Sequence, residues 1–370
     1  MKISFKNSYS LNKLLLIIFL FIAATPVVNH FWKLLAVVVI SLIVRDLSGI
    51  KKEDLPKILS LVILIITISV YNDLQYTGAG EISYFVLYPV LLMVFSYLFA
   101  TRYSLTEILL GNEHLVAISL VFGLPLFFVS LLYPSVINLG LDYSIGDTDV
   151  HKSFILLNFH LNGGGSTERF VGFGPEPGFT QMFFVLAFYS RYTRKQKIDL
   201  NLVLIIVGII LTKSTAGLIC FFVVMCHFFG SFRLRGIVMV SLIIVLILPE
   251  IEFHLDNKVI GSESFSSRFS RYNLTYEIYN FIDILFGRGD LFYRDFLKPN
   301  DFGGFDSILQ IVQRYGFVVV FAILLMLRQA VNLLILLIVT VSLFSQVIWL
   351  SAVFWIIIFN NKKREKNIYC

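Results

Sequence analysis

The chain has 370 residues, of which 57% are hydrophobic and only 15% charged, and its mean hydropathy is +0.83. That composition excludes an ordinary soluble globule and describes an integral membrane protein. The net charge of +6 is explained by lysine- and arginine-rich cytoplasmic loops and requires no nucleic-acid partner.

The apolar residues fall in many runs of roughly membrane-spanning length, so the expected fold is all-α, a polytopic transmembrane helical bundle forming one integral membrane domain. The alternating strands of an outer-membrane barrel are absent from the sequence. The first run, Leu14 to Val28, follows Lys2, Lys6 and Lys13 without a clear small-residue cleavage site, and reads as an uncleaved first span. About twelve spans (ten to twelve) are expected, at 12–28, 31–44, 58–72, 83–101, 115–133, 177–191, 198–212, 214–230, 236–249, 307–327, 330–345 and 347–359. With that count, the basic segments 45–57, 191–197, 231–236 and 360–370 all fall on one side, which places both termini in the cytoplasm. The segment 73–82 has no Lys or Arg and falls on the other side.

Two long polar segments, 134–176 and 250–306, then face outwards and hold the only room for chemistry in water. The first is rich in Gly, Asp and Asn and is expected to be irregular until a partner orders it. It ends in R-F-V-G-F-G-P-E-P-G, Arg169 to Gly178, where Pro175 and Pro177 stiffen the chain around Glu176 and three glycines permit turns. This is either a tight turn opening a span or a stiff carboxylate presented at the membrane edge. It is no dinucleotide fingerprint, because prolines follow the glycines and no βαβ pattern surrounds them.

L-T-K-S-T-A-G, Leu211 to Gly217, makes a turn between two spans, where Lys213 either adds a cation to an outer site or snorkels to headgroups. The second polar segment contains S-S-R-F-S-R-Y-N-L-T-Y-E-I-Y-N-F-I-D-I-L-F-G, expected as one amphipathic helix capped by Ser266 or Ser267 and ended by Gly287. Its cations include Arg268 and Arg271, three apart and so on one side of a helix, and Arg288. With Arg169 they form an outer set suited to phosphate, since guanidinium groups bind phosphate oxygens bidentately and stay charged. Lipid headgroups or the loop's own acids are the alternative ligands.

The tenth span opens with F-D-S-I-L-Q-I-V-Q-R-Y-G, in which Asp306, Gln310, Gln313 and Arg314 form a polar stripe while Ile308, Ile311 and Val312 face away. Arg314 lies roughly 12 Å deeper than Asp306, and a charge at that depth belongs to a cleft or to a structural ion pair. There is no P-loop, no Ser-His-Asp signal and no metal-ligand spacing, and the three cysteines suggest neither a disulfide framework nor a metal. His151 and His160 read as surface histidines.

Four segments in this order resemble the Wzy-type O-antigen and capsular polysaccharide polymerases, part of a superfamily that includes the O-antigen ligases. They are R-F-V-G-F-G-P-E-P-G-F, L-T-K-S-T-A-G, the Arg-bearing helix ending in I-L-F-G-R-G-D, and F-D-S-I-L-Q-I-V-Q-R-Y-G. Asp306 stands near the position where the ligases carry histidine, which favours polymerase over ligase, and Thr215 stands where the family often has Arg after Ser214. The resemblance implies a glycosyltransferase of the bacterial inner membrane that joins undecaprenyl-diphosphate-linked repeat units on the outer face. It implies no cofactor and no metal. Glu176, Asp306 and Arg169 are the catalytic candidates, and Arg268, Arg271, Arg288, Lys213 and Arg314 the diphosphate-binding ones. Lipid-linked glycans and the bilayer are the expected partners, with a chain-length regulator and a flippase as further candidates. The competing readings are a ligase-type glycan transferase and a transporter or flippase of lipid-linked sugars.

Overall fold

The computed structural model describes residues 6–25, 30–44, 55–77, 84–145, 149–159, 169–229, 263–300, 306–330 and 333–359. Helix dominates: α1 (Lys6–Ala24), α2 (His30–Val44), α3 (Leu55–Thr77), α4 (Tyr84–Arg102), α5 (Leu105–Leu132), α6 (Pro177–Lys195), α7 (Leu200–Leu211) and α8 (Thr215–Phe229) come first. The short helices α9 (Glu263–Ile278), α10 (Phe281–Phe286) and α11 (Gly289–Phe292) follow, then α12 (Ser307–Ala330), α13 (Leu333–Ser345) and α14 (Ala352–Phe359). Three of these, over Leu55–Gln75, Leu105–Leu132 and Ser307–Arg328, are long and apolar enough to cross a bilayer, and several shorter apolar helices accompany them. The expected span at 236–249, and the basic segments 45–54, 231–236 and 360–370, lie outside the described residues.

The helix ends are set by local chemistry. Ser104 and Glu107 form a capping box at the start of α5, which satisfies two donors that would otherwise be left at the first turn. The expected span at 115–133 therefore begins ten residues earlier than its apolar run suggests. Pro177 occupies the first turn of α6, where its missing N–H costs nothing, and Gln196 in a left-handed conformation ends the helix. Asp199 caps α7 by accepting from Leu202 N at 3.0 Å.

Three expectations need correction. Part of the 134–176 segment is regular: Pro134–Leu139 is a 3-10 turn, and β1 (Leu141–Ile145), β2 (Asp149–Ser153) and β3 (Asn158–Phe159) form an antiparallel sheet in that order. The register pairs Tyr143 with His151, and Ser153 with both Leu141 and Asn158. Next, the helix expected to run from Ser266 to Gly287 starts at Glu263 and breaks at Tyr279, because Asn280 and Asp283 build a capping box that starts α10 anew. Finally, α12 is not continuous: Gly316 at φ 78°, ψ 175° separates Ser307–Tyr315 from the inner piece that follows.

The core is a bundle interior packed with aromatic rings. Phe170 and Phe173, from the segment before α6, pack on Phe183 and Phe184 of that helix, so the chain preceding Glu176 is seated on the bundle. Inside the bundle the Asn112 amide of α5 donates to the Phe183 carbonyl of α6 at 2.8 Å. At one end of the same pair, Glu113 of α5, 2% exposed, accepts from Arg191 (2.6 Å) and Arg194 (2.7 Å) of α6, and Arg191 also grips Asp199. Midway along α5, Ser119 donates its hydroxyl to the Leu156 carbonyl of the sheet segment. The two ends of the bundle are distinguished: a charge network at one, and the described parts of 134–176 together with 263–300 at the other.

Candidate functional site

The first half of the site is built on the start of α6. Asn158 donates to the Gly174 carbonyl at 2.7 Å, its backbone N–H donates to the Gly172 carbonyl at 2.8 Å, and Thr180 Oγ1 accepts from Gly174 N at 3.1 Å. Gly172 needs its glycine, since its φ is +67° and a Cβ there would meet Thr180 Cγ2 at 2.8 Å. These bonds fold the segment back against its own helix and leave Glu176 at the N-cap, between its two prolines. The Glu176 side chain makes no cap hydrogen bond. No ion pair holds its carboxylate among the described residues.

Arg169 lies beside the Leu211–Gly217 turn, because Phe170 N donates to the Leu211 carbonyl at 2.9 Å. Lys213 takes a left-handed conformation in that turn, with φ 47°. Gln181, one turn into α6, fixes the turn. With its amide nitrogen towards Ser214 it donates to Ser214 Oγ at 2.8 Å and to the Ser214 carbonyl at 2.9 Å, while its oxygen accepts from Leu218 N at 3.0 Å. Gly217 provides the space for that amide. Arg169, Glu176 and Lys213 are thus carried by segments tied to one helix start.

The second half is built on the outer piece of α12. Asp306 caps this helix, its Oδ1 accepting from Leu309 N at 2.8 Å and from the Tyr272 hydroxyl of α9 at 3.0 Å. It is 1% exposed. Gln313 donates to Thr275 Oγ1 at 2.9 Å, and its carbonyl accepts from the Tyr279 hydroxyl and from Arg288 N, both at 3.0 Å. Gln310 accepts from Trp349 Nε1 at 3.2 Å. The polar stripe is therefore fully enclosed by other segments. Ile308 and Ile311, expected to face away from it, are buried as well.

Two of the arginines expected to grip diphosphate are committed to internal partners. Arg314 donates to Asp290 Oδ1 at 3.1 Å and lies over the Tyr293 ring at 4.1 Å, and the Tyr315 hydroxyl donates to the other Asp290 oxygen at 2.6 Å. Burial pushes the Asp290 carboxyl up, against the opposing pull of Arg314 and Tyr315. Arg288 donates to Asp283 Oδ2 at 2.7 Å and to the Ile278 carbonyl at 2.8 Å, and stands over the rings of Tyr279 and Phe292. Between them the two segments make a close backbone approach. A Cβ on Gly287 would meet Tyr315 N at 2.5 Å, and one on Gly316 would collide with the Leu285 carbonyl. The F-G-R-G and Q-R-Y-G segments, read separately in the sequence, are the two sides of one contact.

Arg271 is buried on α9, immediately before Tyr272, whose hydroxyl reaches the Asp306 cap. Arg268 is on α9 too, but its side chain lies outside the described residues. Residues the sequence reading missed complete the frame. Asn72 at the end of α3 donates to the Phe286 carbonyl at 2.8 Å, and Asp73 accepts from Leu291 N. Their only signal was a polar pair ending an apolar run. Gln346, between α13 and α14, joins the halves: its side chain faces Gly178, and its carbonyl accepts from Ser307 Oγ at 2.6 Å and Ser307 N at 3.1 Å. One residue therefore touches both carboxylate-bearing helix starts. Among the described residues no group of His, Cys, Asp and Glu is arranged to hold a metal. No protein-family model, no curated protein and no solved structure matches this chain.

Proposed function

We propose that the chain is a membrane-embedded glycosyltransferase that polymerises lipid-diphosphate-linked glycan repeats, working at the end of the bundle that carries Glu176. The observation that carries this reading is the gathering of all four motif segments at that end, with Gln346 bridging the helix starts that follow Glu176 and Asp306. In this reading a sugar hydroxyl oxygen of one carrier attacks the anomeric carbon of the other glycan. The bond to the diphosphate breaks, its electron pair leaves with the lipid diphosphate, and the hydroxyl proton passes to Glu176. Cations are needed where that leaving charge develops. Arg169 and Lys213, on segments tied to the start of α6, are the candidates on the Glu176 side, and Arg271, buried on α9, is the candidate on the Asp306 side. Arg288 and Arg314 serve instead as internal struts, and Asp306 as the cap that orients the outer piece of α12.

The topology that goes with this reading has about twelve spans, both termini in the cytoplasm of a bacterial inner membrane, and the polar segments outside. The uninterrupted charge network of Glu113, Arg191, Arg194 and Asp199 then lies at the cytoplasmic ends, where the short basic loop 191–197 belongs. The experiment is surface-polysaccharide analysis in a deletion strain complemented with Glu176→Gln or Arg271→Ala. Single-repeat product with normal membrane levels of the variant supports the reading, and wild-type chain-length ladders from both variants refute it.

The break in α12 at Gly316, next to Arg314, favours a second reading, since transporters bind substrates at discontinuous helices. A transporter predicts lipid-linked repeats trapped on the cytoplasmic leaflet when Glu176 is changed; a polymerase predicts them on the outer leaflet.

A further inference from the structure

At the end of the bundle away from Glu176, α1, α4 and α5 enclose a cleft of about 250 Å³, room for a headgroup-sized anion rather than a single water. Its polar wall is made by Asn12 and Lys13 of α1 and by Arg102 and Tyr103 at the end of α4, while Leu16 and Leu110 form an apolar floor. The floor is fixed by the close approach of α1 to α5: a Cβ on Gly111 would meet Leu16 Cδ2 at 2.8 Å. The Tyr103 hydroxyl donates to the Asn12 carbonyl at 2.9 Å and ties the two sides of the wall. Glu107 also lines the cleft, but its Oε2 accepts from Ser104 N at 2.8 Å and from Ser104 Oγ at 3.0 Å, so that oxygen serves the helix cap.

Two cations thus converge over an apolar floor, at the ends of helices that are themselves apolar. Lys13 stands at the start of the apolar stretch of α1, Asn12–Ala24, and Arg102 in the last turn of α4, the depth at which headgroups lie beside a spanning helix. A soluble anion would use the cations and leave the open face of half-buried Leu110 uncovered, next to Leu16, which is packed against Gly111. A phospholipid uses both, and basic pockets between spanning helices on the cytoplasmic side suit anionic headgroups. We infer that this cleft binds the phosphate of an anionic phospholipid, with Lys13 and Arg102 on the phosphate and the upper part of the lipid against Leu16 and Leu110. The site is independent of the polymerase reading and asks only that the helices span a bilayer.

The test uses the full chain purified in mild detergent, stripped of lipid, then offered phosphatidylglycerol, phosphatidylcholine or inorganic phosphate and measured by native mass spectrometry and thermal unfolding. The expected result is retention of phosphatidylglycerol over phosphatidylcholine. Each of Lys13→Gln and Arg102→Gln should weaken that retention by about tenfold, the worth of one charge-assisted hydrogen bond. Equal retention of the two lipids, or unchanged retention in the double variant, overturns the inference. Protection by inorganic phosphate equal to that by phosphatidylglycerol would make a soluble phosphate the occupant and overturn its lipid part. If a variant does not fold, a salt titration of the wild-type chain decides: lipid retention should fall as salt rises, and retention indifferent to salt overturns the assignment.

Discussion

Gly287 and Gly316 face each other's backbone, so a methyl group on either acts on one shared contact. A Cβ on Gly287 stands 2.5 Å from Tyr315 N and closer still to the Arg314 carbonyl, so the chains would have to part by at least about 0.9 Å, the difference between that 2.5 Å and the 3.4 Å at which ordinary contact begins. Both glycines also have positive φ (73° and 78°) with ψ near 180°, a region essentially reserved for glycine. Backbone strain there costs about 1–3 kcal/mol and forced packing a further 1–3 kcal/mol. Each of Gly287→Ala and Gly316→Ala should therefore destabilise the protein by about 2–6 kcal/mol. Once either methyl has pushed the chains apart, the second finds the space already opened. The double variant should then cost clearly less than the sum of the two, because residues in contact are not additive. The assay is thermal or denaturant unfolding of the purified protein in detergent, with membrane insertion checked for each variant. Gly123→Ala is the control: its nearest neighbour is the Phe170 ring at 3.1 Å, a side chain able to turn aside. Full additivity, or a Gly316→Ala protein as stable as the control, would refute the shared-contact argument.

Asp290→Asn leaves the Arg314 charge buried without its counter-ion and should cost about 3–5 kcal/mol; adding Arg314→Met in the same chain should recover much of that loss in the same unfolding assay. Hydrogen bonds from Arg191 hold the Asp199 carboxyl below its usual 3.8. A depressed carboxylate stabilises the fold above its unfolded value and loses that contribution as pH falls through the lower folded one, so the wild-type unfolding midpoint should drop below about pH 4 more steeply than that of Asp199→Asn. Glu176→Gln should remove long polysaccharide chains while leaving membrane levels and the unfolding midpoint near wild type, since no hydrogen bond to the helix is lost.

Much of the helix pattern was legible because hydropathy runs and loop cations are local properties of the chain. The start of α6 at Pro177 is such a case, with Pro-Glu-Pro marking it in the sequence. The early start of α5 was legible too, in Ser104 and Glu107, but Glu113 and His114 diluted the apolar run and hid it. The same holds for Asn280 and Asp283, whose capping box divides what periodicity presents as one amphipathic helix. In the segment 141–153 the glycine and aspartates suggested irregular chain, although D-Y-S-I and D-V-H-K around a short turn are compatible with a hairpin. The partners of Arg314 and Arg288 were a different matter. Which carboxylate meets a buried guanidinium depends on how α10 and α11 lie against α12, and no spacing in the sequence encodes that. Nor does any local signal bring Gln346 to Gly178 and Ser307.

The interruption at Gly316 divides α12 into two bodies with different loyalties. The outer nine residues, Ser307 to Tyr315, are bonded to Gln346 and Trp349 on one flank and to Thr275, Tyr279, Arg288 and Asp290 on the other. The inner piece packs in the bundle through Val319, Val320, Ile323 and Leu327. A tilt of the outer piece must therefore carry the short helices along as a collar, with Gly316 as its swivel and the Asn72 bond as a second pin. Load applied to the collar would reach the entry of α6 through Gln346, whose carbonyl holds Ser307 and whose side chain faces Gly178.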